Sequence, residues 1–152
     1  MDKFKNIIDD KIIALALHLE YSQEEAERIK DNSNNYYEDG EKEFIILTDE
    51  EADEVLKDYI EQFLWSFTPN FLKGFMPDGT QDEAETILKP LQEKCENGNE
   101  AIKALCNWNE QADEIVEEAE KWDGRGHFLG GYDGLEKRQE VDGVAYYIYR
   151  TN

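Results

Sequence analysis

Between residues 31 and 123 acidic side chains outnumber basic ones by 26 to seven, and a chain so biased can fold only by keeping those carboxylates on solvated faces. The flanks differ. Residues 1–30 carry seven acidic and five basic groups and residues 124–152 carry four of each, so the net charge of −21 comes almost wholly from the middle. Hydrophobic residues at 39% and aromatic residues at 12% suffice for a packed core, which separates the chain from a disordered acidic tail. A length of 152 residues predicts a single domain over 1–152. Direct binding to nucleic acid or to anionic membranes is disfavoured, because phosphate surfaces repel such a field. The longest apolar stretch, 12–19, falls far short of the roughly 20 residues that span a bilayer. Asp9, Asp10 and Lys11 in front of it are unlike a signal peptide.

Periodicity organises the rest. Phe4, Ile7, Ile8, Ile12, Leu15 and Leu19 recur every three or four residues, predicting a first helix over 4–19. Ser22 with Glu25 forms a capping box for a second, which ends in the turn-forming stretch 31–35. Asp39-Gly40 between Tyr36-Tyr37-Glu38 and 43–47 marks a hairpin. Thr48 with Glu51 caps the strongest helix, whose apolar line is Ala52, Val55, Leu56, Tyr59, Ile60, Phe63, Leu64 and Phe67. Thr68-Pro69 starts a short turn of helix, and Thr80 with Glu83 forms a third capping box ahead of Pro90, which should bend or break that helix. Residues 99–122 read as mostly helical, with Trp108, Ala112, Ile115, Ala119 and Trp122 on one face. The glycine-dense 123–134 reads as loop, and Asp142-Gly143 turns a second hairpin between 135–141 and 144–150. These elements predict a helix-rich α+β domain in which two β-hairpins form a small antiparallel sheet, with helices on one face.

Two features could carry function. Glu50, Asp53, Glu54, Asp58 and Glu61 lie opposite one apolar line, and Glu110, Asp113, Glu114, Glu117 and Glu118 opposite the other. Carboxylates at such spacing fall about 5 Å apart along a helix, a line of charge comparable with phosphates every ~3.4 Å on a DNA strand. A protein built to grip phosphate backbones could take such a stripe for nucleic acid; the plainer reading is a solvated face. The second feature is the loop bearing Asp123, Arg125, His127 and Asp133, a candidate contact site. It fails the spacings of dinucleotide, P-loop and calcium motifs, and its plainer reading is a tight connection with Arg125 paired to a nearby acid. Cys95 and Cys106 are too far apart on one helix to bridge, and His18 reads as a core or boundary histidine. No nucleophile motif surrounds Ser22, Ser33 or Ser66, and no metal-ligand spacing or cofactor fingerprint occurs, so the expectation is not an enzyme, with no cofactor and no metal.

The segment Phe44-Ile45-Ile46-Leu47-Thr48-Asp49-Glu50-Glu51-Ala52-Asp53, with Tyr59-Ile60 and Leu64-Trp65-Ser66-Phe67, is similar to a stretch of small acidic proteins encoded by tailed bacteriophages. So are Asp123-Gly124-Arg125-Gly126-His127-Phe128-Leu129, Tyr132-Asp133-Gly134 and Tyr146-Tyr147-Ile148-Tyr149-Arg150. That group has no established activity. The resemblance implies a phage or prophage accessory protein acting in the cytoplasm of the bacterial host.

Charge and context together predict an inhibitor of a host defence nuclease, of anti-CRISPR or antirestriction type. It would occlude a basic cleft by nucleic-acid mimicry, with the ten carboxylates named above as contacts and a basic nucleic-acid-binding protein as partner. The alternative is a non-catalytic interaction or regulatory module that binds a protein through the Gly-rich loop and the C-terminal hairpin, where Arg125, His127 and Tyr147 would matter. A halophile-type acidic surface is a third reading.

Overall fold

The computed structural model describes residues 2–152. It is an α+β structure whose chain divides into two compact units, one holding the residues up to 54 together with 123–152, the other residues 55–122. Chain continuity between them runs through two helices, α3 (Asp49–Gln62) and α7 (Trp108–Asp123).

The first unit begins with a 3-10 turn, Asp2–Phe4, followed by α1 (Asp10–His18) and α2 (Gln23–Glu27). The expected single helix from Phe4 to Leu19 is therefore interrupted. Asp9 adopts extended dihedrals and its side chain accepts from the Lys11 N–H at 2.9 Å, so it caps a helix that starts at Asp10. Ile8 consequently points outward, 97% exposed. At α2 the Ser22–Glu25 capping box forms as its spacing predicts. The helix is brief, and Lys30–Asp31 becomes β1, an edge strand, before a turn in which Ser33, Asn34 and Asn35 all have positive φ.

β2 (Tyr36–Asp39) and β3 (Lys42–Thr48) form the first hairpin, joined by Gly40-Glu41. β4 (Lys137–Val141) and β5 (Val144–Arg150) form the second. Asp142 and Gly143 have φ of 50° and 85°, the two left-handed positions that a two-residue hairpin turn with matching twist requires. The hairpins pair through β3 and β5, giving one antiparallel sheet in the order β1-β2-β3-β5-β4.

Helices lie on both faces of this sheet, not one. Phe44, Ile45, Ile46 and Leu47 are buried in succession, and alternating side chains can all be buried only when both faces are covered. Phe44, Ile46, Tyr37, Val141, Tyr146 and Ile148 pack with Ile13, Ala14, Leu15 and Ala16 of α1. On the other face lies α8 (Arg125–Leu129), a helix within the stretch expected to be loop. Gly124, at φ 81°, turns the chain into it. α8 sits so close to the following segment that a Cβ on Gly126 would lie 2.7 Å from Glu136 N and 2.8 Å from Gly134 O. The glycines thus permit backbone-to-backbone packing of a helix rather than a flexible connection.

The second unit comprises the rest of α3, a 3-10 turn at Leu64–Ser66, α4 (Pro69–Leu72), α5 (Ala84–Glu93), α6 (Gly98–Leu105) and most of α7. Thr68 caps α4 with Pro69 in its first turn, as expected. Thr80 does not complete the expected box: the Glu83 N–H donates to the Thr80 backbone carbonyl at 3.1 Å rather than to its side chain, whose hydroxyl donates to the Pro77 carbonyl at 2.6 Å. α5 continues one further turn past Pro90 to Glu93. The helical run expected over 99–122 is divided at Asn107, which has φ 48°. Amide side chains satisfy the irregular backbone between helices. Asn99 accepts from Trp65 N–H and donates to Glu61 O, Gln92 donates to the Trp65 and Phe67 carbonyls, and Gln111 to those of Phe75 and Cys106. No helix is long and apolar enough to cross a membrane among the described residues.

Candidate functional site

Of the candidate loop residues, Arg125 is the most constrained. Its side chain is buried on α8, and Nε donates to Glu136 Oε1 at 2.7 Å. Its Nη1 donates to Asp49 Oδ1 at 2.9 Å and Asp53 Oδ1 at 3.0 Å, joining the first turns of α3. The guanidinium lies over the Tyr147 ring, 4.6 Å from its centroid, and Tyr149 donates its hydroxyl to Glu136. Burial by itself would lower the Arg125 pKa, but the bonds to Glu136 and Asp49 outweigh it and hold the group firmly charged. Burial and the Glu136 bond push the Tyr149 phenol up.

The loop expectation therefore resolves into separate roles. Arg125 and Tyr147 stack on one another within the fold. Asp133 accepts from the Leu135 N–H at 3.0 Å, fixing the turn ahead of β4. His127 and Asp123 remain exposed, with the His127 ring edge-on to Phe128 at 5.0 Å. An open cleft of about 800 Å³ lies beside this region, lined by Glu38, Glu41, Glu43, Tyr132 and Arg150 among others, with Arg150 stacked 3.7 Å from the Tyr132 ring centroid.

The ten helix carboxylates also divide. Asp53 is held by Arg125, Glu61 accepts from Lys103 at 2.8 Å, and Asp113 accepts from Lys57 at 3.0 Å. The Lys103 bond holds the Glu61 carboxyl below its ordinary pKa. Glu110 accepts from Asn107 and Glu118 from the Trp122 indole. Glu50, Glu54, Asp58, Glu114 and Glu117 are exposed and enter no hydrogen bond or ion pair among the described residues. Glu50, Glu54 and Asp58 are spaced by four, which sets them on one side of α3 about 6 Å apart along the axis. This un-neutralised line is roughly half as dense as the phosphates of one DNA strand.

Beside that line stand two aromatic residues that periodicity assigned to the apolar stripe. Ala52, Leu56, Ile60 and Leu64 are completely buried, whereas Tyr59 is 36% and Phe63 37% exposed, their rings 4.7 Å apart. A four-residue buried line leaves the i−1 positions on its flank, and that offset was the available sequence signal. Glu136 and Asp49, which complete the Arg125 cluster, had no such signal. Lone basic residues in an acidic chain attract carboxylates, but which ones depends on the fold.

Other candidates close off. Cys106 is buried, which pushes its thiol up to about 11, and Cys95 is exposed; both are free. Burial lowers the His18 pKa, aided by Lys137 nearby, in keeping with a boundary histidine. No cluster of three or more metal-ligating side chains occurs among the described residues. Comparison with family models, with curated proteins and with solved structures finds no match for this chain.

Proposed function

We propose that the protein is a non-enzymatic inhibitor that seats α3 in the basic cleft of a nucleic-acid-binding protein and excludes the nucleic acid. The observation that carries this reading is the Glu50–Glu54–Asp58 line, exposed and un-neutralised on a helix whose other acids are paired. A solvated face mixes signs, but α3 carries seven acidic residues and one lysine over Asp49–Gln62. Long-range attraction would steer encounter and weaken with salt. Tyr59 and Phe63 beside Asp58 supply the apolar anchor that charge alone lacks, since aromatic residues dominate the energetics of interfaces. The likeness to small acidic phage proteins supplies the setting, with a CRISPR effector or restriction enzyme of the bacterial host as the class of target.

The test is retention of bacterial lysate proteins on the immobilised chain, with and without excess duplex DNA, compared with a Glu50→Gln/Glu54→Gln/Asp58→Asn variant. Retention of a nuclease that DNA displaces, and that the variant fails to hold, is the expected result. A variant that retains the same nuclease undiminished overturns the reading.

A further inference from the structure

The sheet ends on β4, and the outer edge of that strand is open. Val141 and Val144 flank the two-residue turn and form a hydrogen-bonded pair, so Gln139–Tyr146 and Lys137–Ile148 do the same by alternation. The N–H and C=O groups of Arg138 and Glu140 therefore point away from β5. Among the described residues they meet no other strand, and the Glu140 carbonyl is touched only by the neighbouring Gln139 amide at 3.3 Å. Both side chains are exposed. The opposite edge, β1, has only two residues and offers little to pair with.

We propose that a second copy of this chain pairs with β4 along this edge, antiparallel about a two-fold axis at Gln139. In that register Arg138 of each copy lies opposite Glu140 of the other. Both are outward-bonding positions, so each such pair exchanges two backbone hydrogen bonds and also sets opposite charges face to face. A two-fold makes the contact self-complementary and closed, with the two five-stranded sheets joined into one.

Charge selects this place over others. Each copy carries −21, and two copies repel wherever their acidic helices approach. Residues 124–152 have four acidic and four basic side chains, so the edge lies in the one neutral segment of the chain. Charged residues on an edge strand ordinarily discourage pairing. Here the order Arg-Gln-Glu turns the same residues into a match, because antiparallel pairing about the central residue always brings unlike charges together. A lysine or glutamate at both positions would do the opposite.

Sedimentation velocity of the full chain over a wide concentration range at about 0.15 M salt tests this. The expected result is a concentration-dependent monomer–dimer equilibrium. Arg138→Glu and Glu140→Arg should each weaken it by about tenfold or more, since each turns both cross-strand pairs repulsive. The double variant Arg138→Glu/Glu140→Arg should restore it. A chain that stays monomeric throughout, or single reversals without effect, or a double variant that stays as weak as either single one, overturns the proposal. Hydrogen exchange on the unaltered chain supplies an independent reading. The Arg138 and Glu140 amides should gain protection as concentration rises, and protection that does not change with concentration overturns the proposal equally.

Discussion

Arg125 Nε donates to Glu136 Oε1 at 2.7 Å, and this bond joins α8 to the start of the second hairpin. The same guanidinium holds the first turns of α3, so one buried cation organises three parts of the first unit. Replacing it leaves Glu136, Asp49 and Asp53 without their counter-charge. Arg125→Ala should lower unfolding free energy by about 3 kcal/mol, near the lower end for a broken buried pair because the carboxylates are partly hydrated. Arg125→Lys keeps the charge but loses the fork, and should recover only part of that loss. Urea denaturation of the three proteins measures both.

Acidic residues on one helix should differ sharply in their response to neutralisation. Asp53→Asn weakens a charge-assisted bond to Arg125 and should destabilise by about 1 kcal/mol. Glu54→Gln removes an unpaired negative charge from a crowded field and should be neutral or slightly stabilising, within about 0.5 kcal/mol. Thermal melts distinguish the two, and equal losses would contradict the division of the stripe into paired and unpaired members.

Alkaline pH should undermine the first unit through its tyrosines. The bond to Asp39 pushes Tyr21 up to about 12, and burial with the Asp9 and Glu136 bonds raises Tyr37 and Tyr149. A phenol whose folded pKa is raised gives stability that is complete below its unfolded pKa of about 10 and is lost as pH climbs above it. Burial raises Tyr146 as well, so four of the eight tyrosines should ionise late, as the first unit loosens. Tyrosinate absorbance followed alongside circular dichroism gives the result, and early ionisation of all eight would contradict it.

Gly98, Gly126 and Gly130 are set by close approach. An alanine Cβ at Gly98 would fall 1.8 Å from the Leu91 carbonyl oxygen, and one at Gly126 would meet backbone at 2.7 Å. Each substitution should cost about 1–3 kcal/mol through forced separation of packed backbone. Gly131→Ala, where the nearest atom is 3.8 Å away, is the comparison that should be tolerated.

Tyr59→Ala/Phe63→Ala should reduce capture of a basic partner at least tenfold, and because both rings are still nearly two-thirds covered it should also cost about 1–3 kcal/mol of stability, less than a core truncation. Binding and melting measured on one preparation separate these effects.

Much of the architecture was legible along the chain. The Ser22 and Thr48 boxes, the Thr68-Pro69 start and the Asp142-Gly143 turn are each completed within four residues, so their chemistry does not depend on the rest of the fold. Thr80 shows the limit of such signals, because the chain after it winds into a 3-10 turn in which the Thr80 backbone carbonyl, not its hydroxyl, takes the Glu83 N–H. The 123–134 stretch misled in the other direction. Its glycines suggested freedom, yet Gly126 and Gly130 are where α8 meets backbone too closely for any side chain.

The sequence by itself determined the α+β character, the acidic helix faces and the positions of most caps and turns, since these follow from local hydrogen bonding and a 3.6-residue period. Only the tertiary structure decided which carboxylates keep their charge un-neutralised. Arg125 reaches Asp49 across 76 residues, and Lys103 reaches Glu61 across 42. Periodicity places a side chain on a face but says nothing about which distant cation the fold brings against it, and that choice separates Glu50, Glu54 and Asp58 from their neighbours.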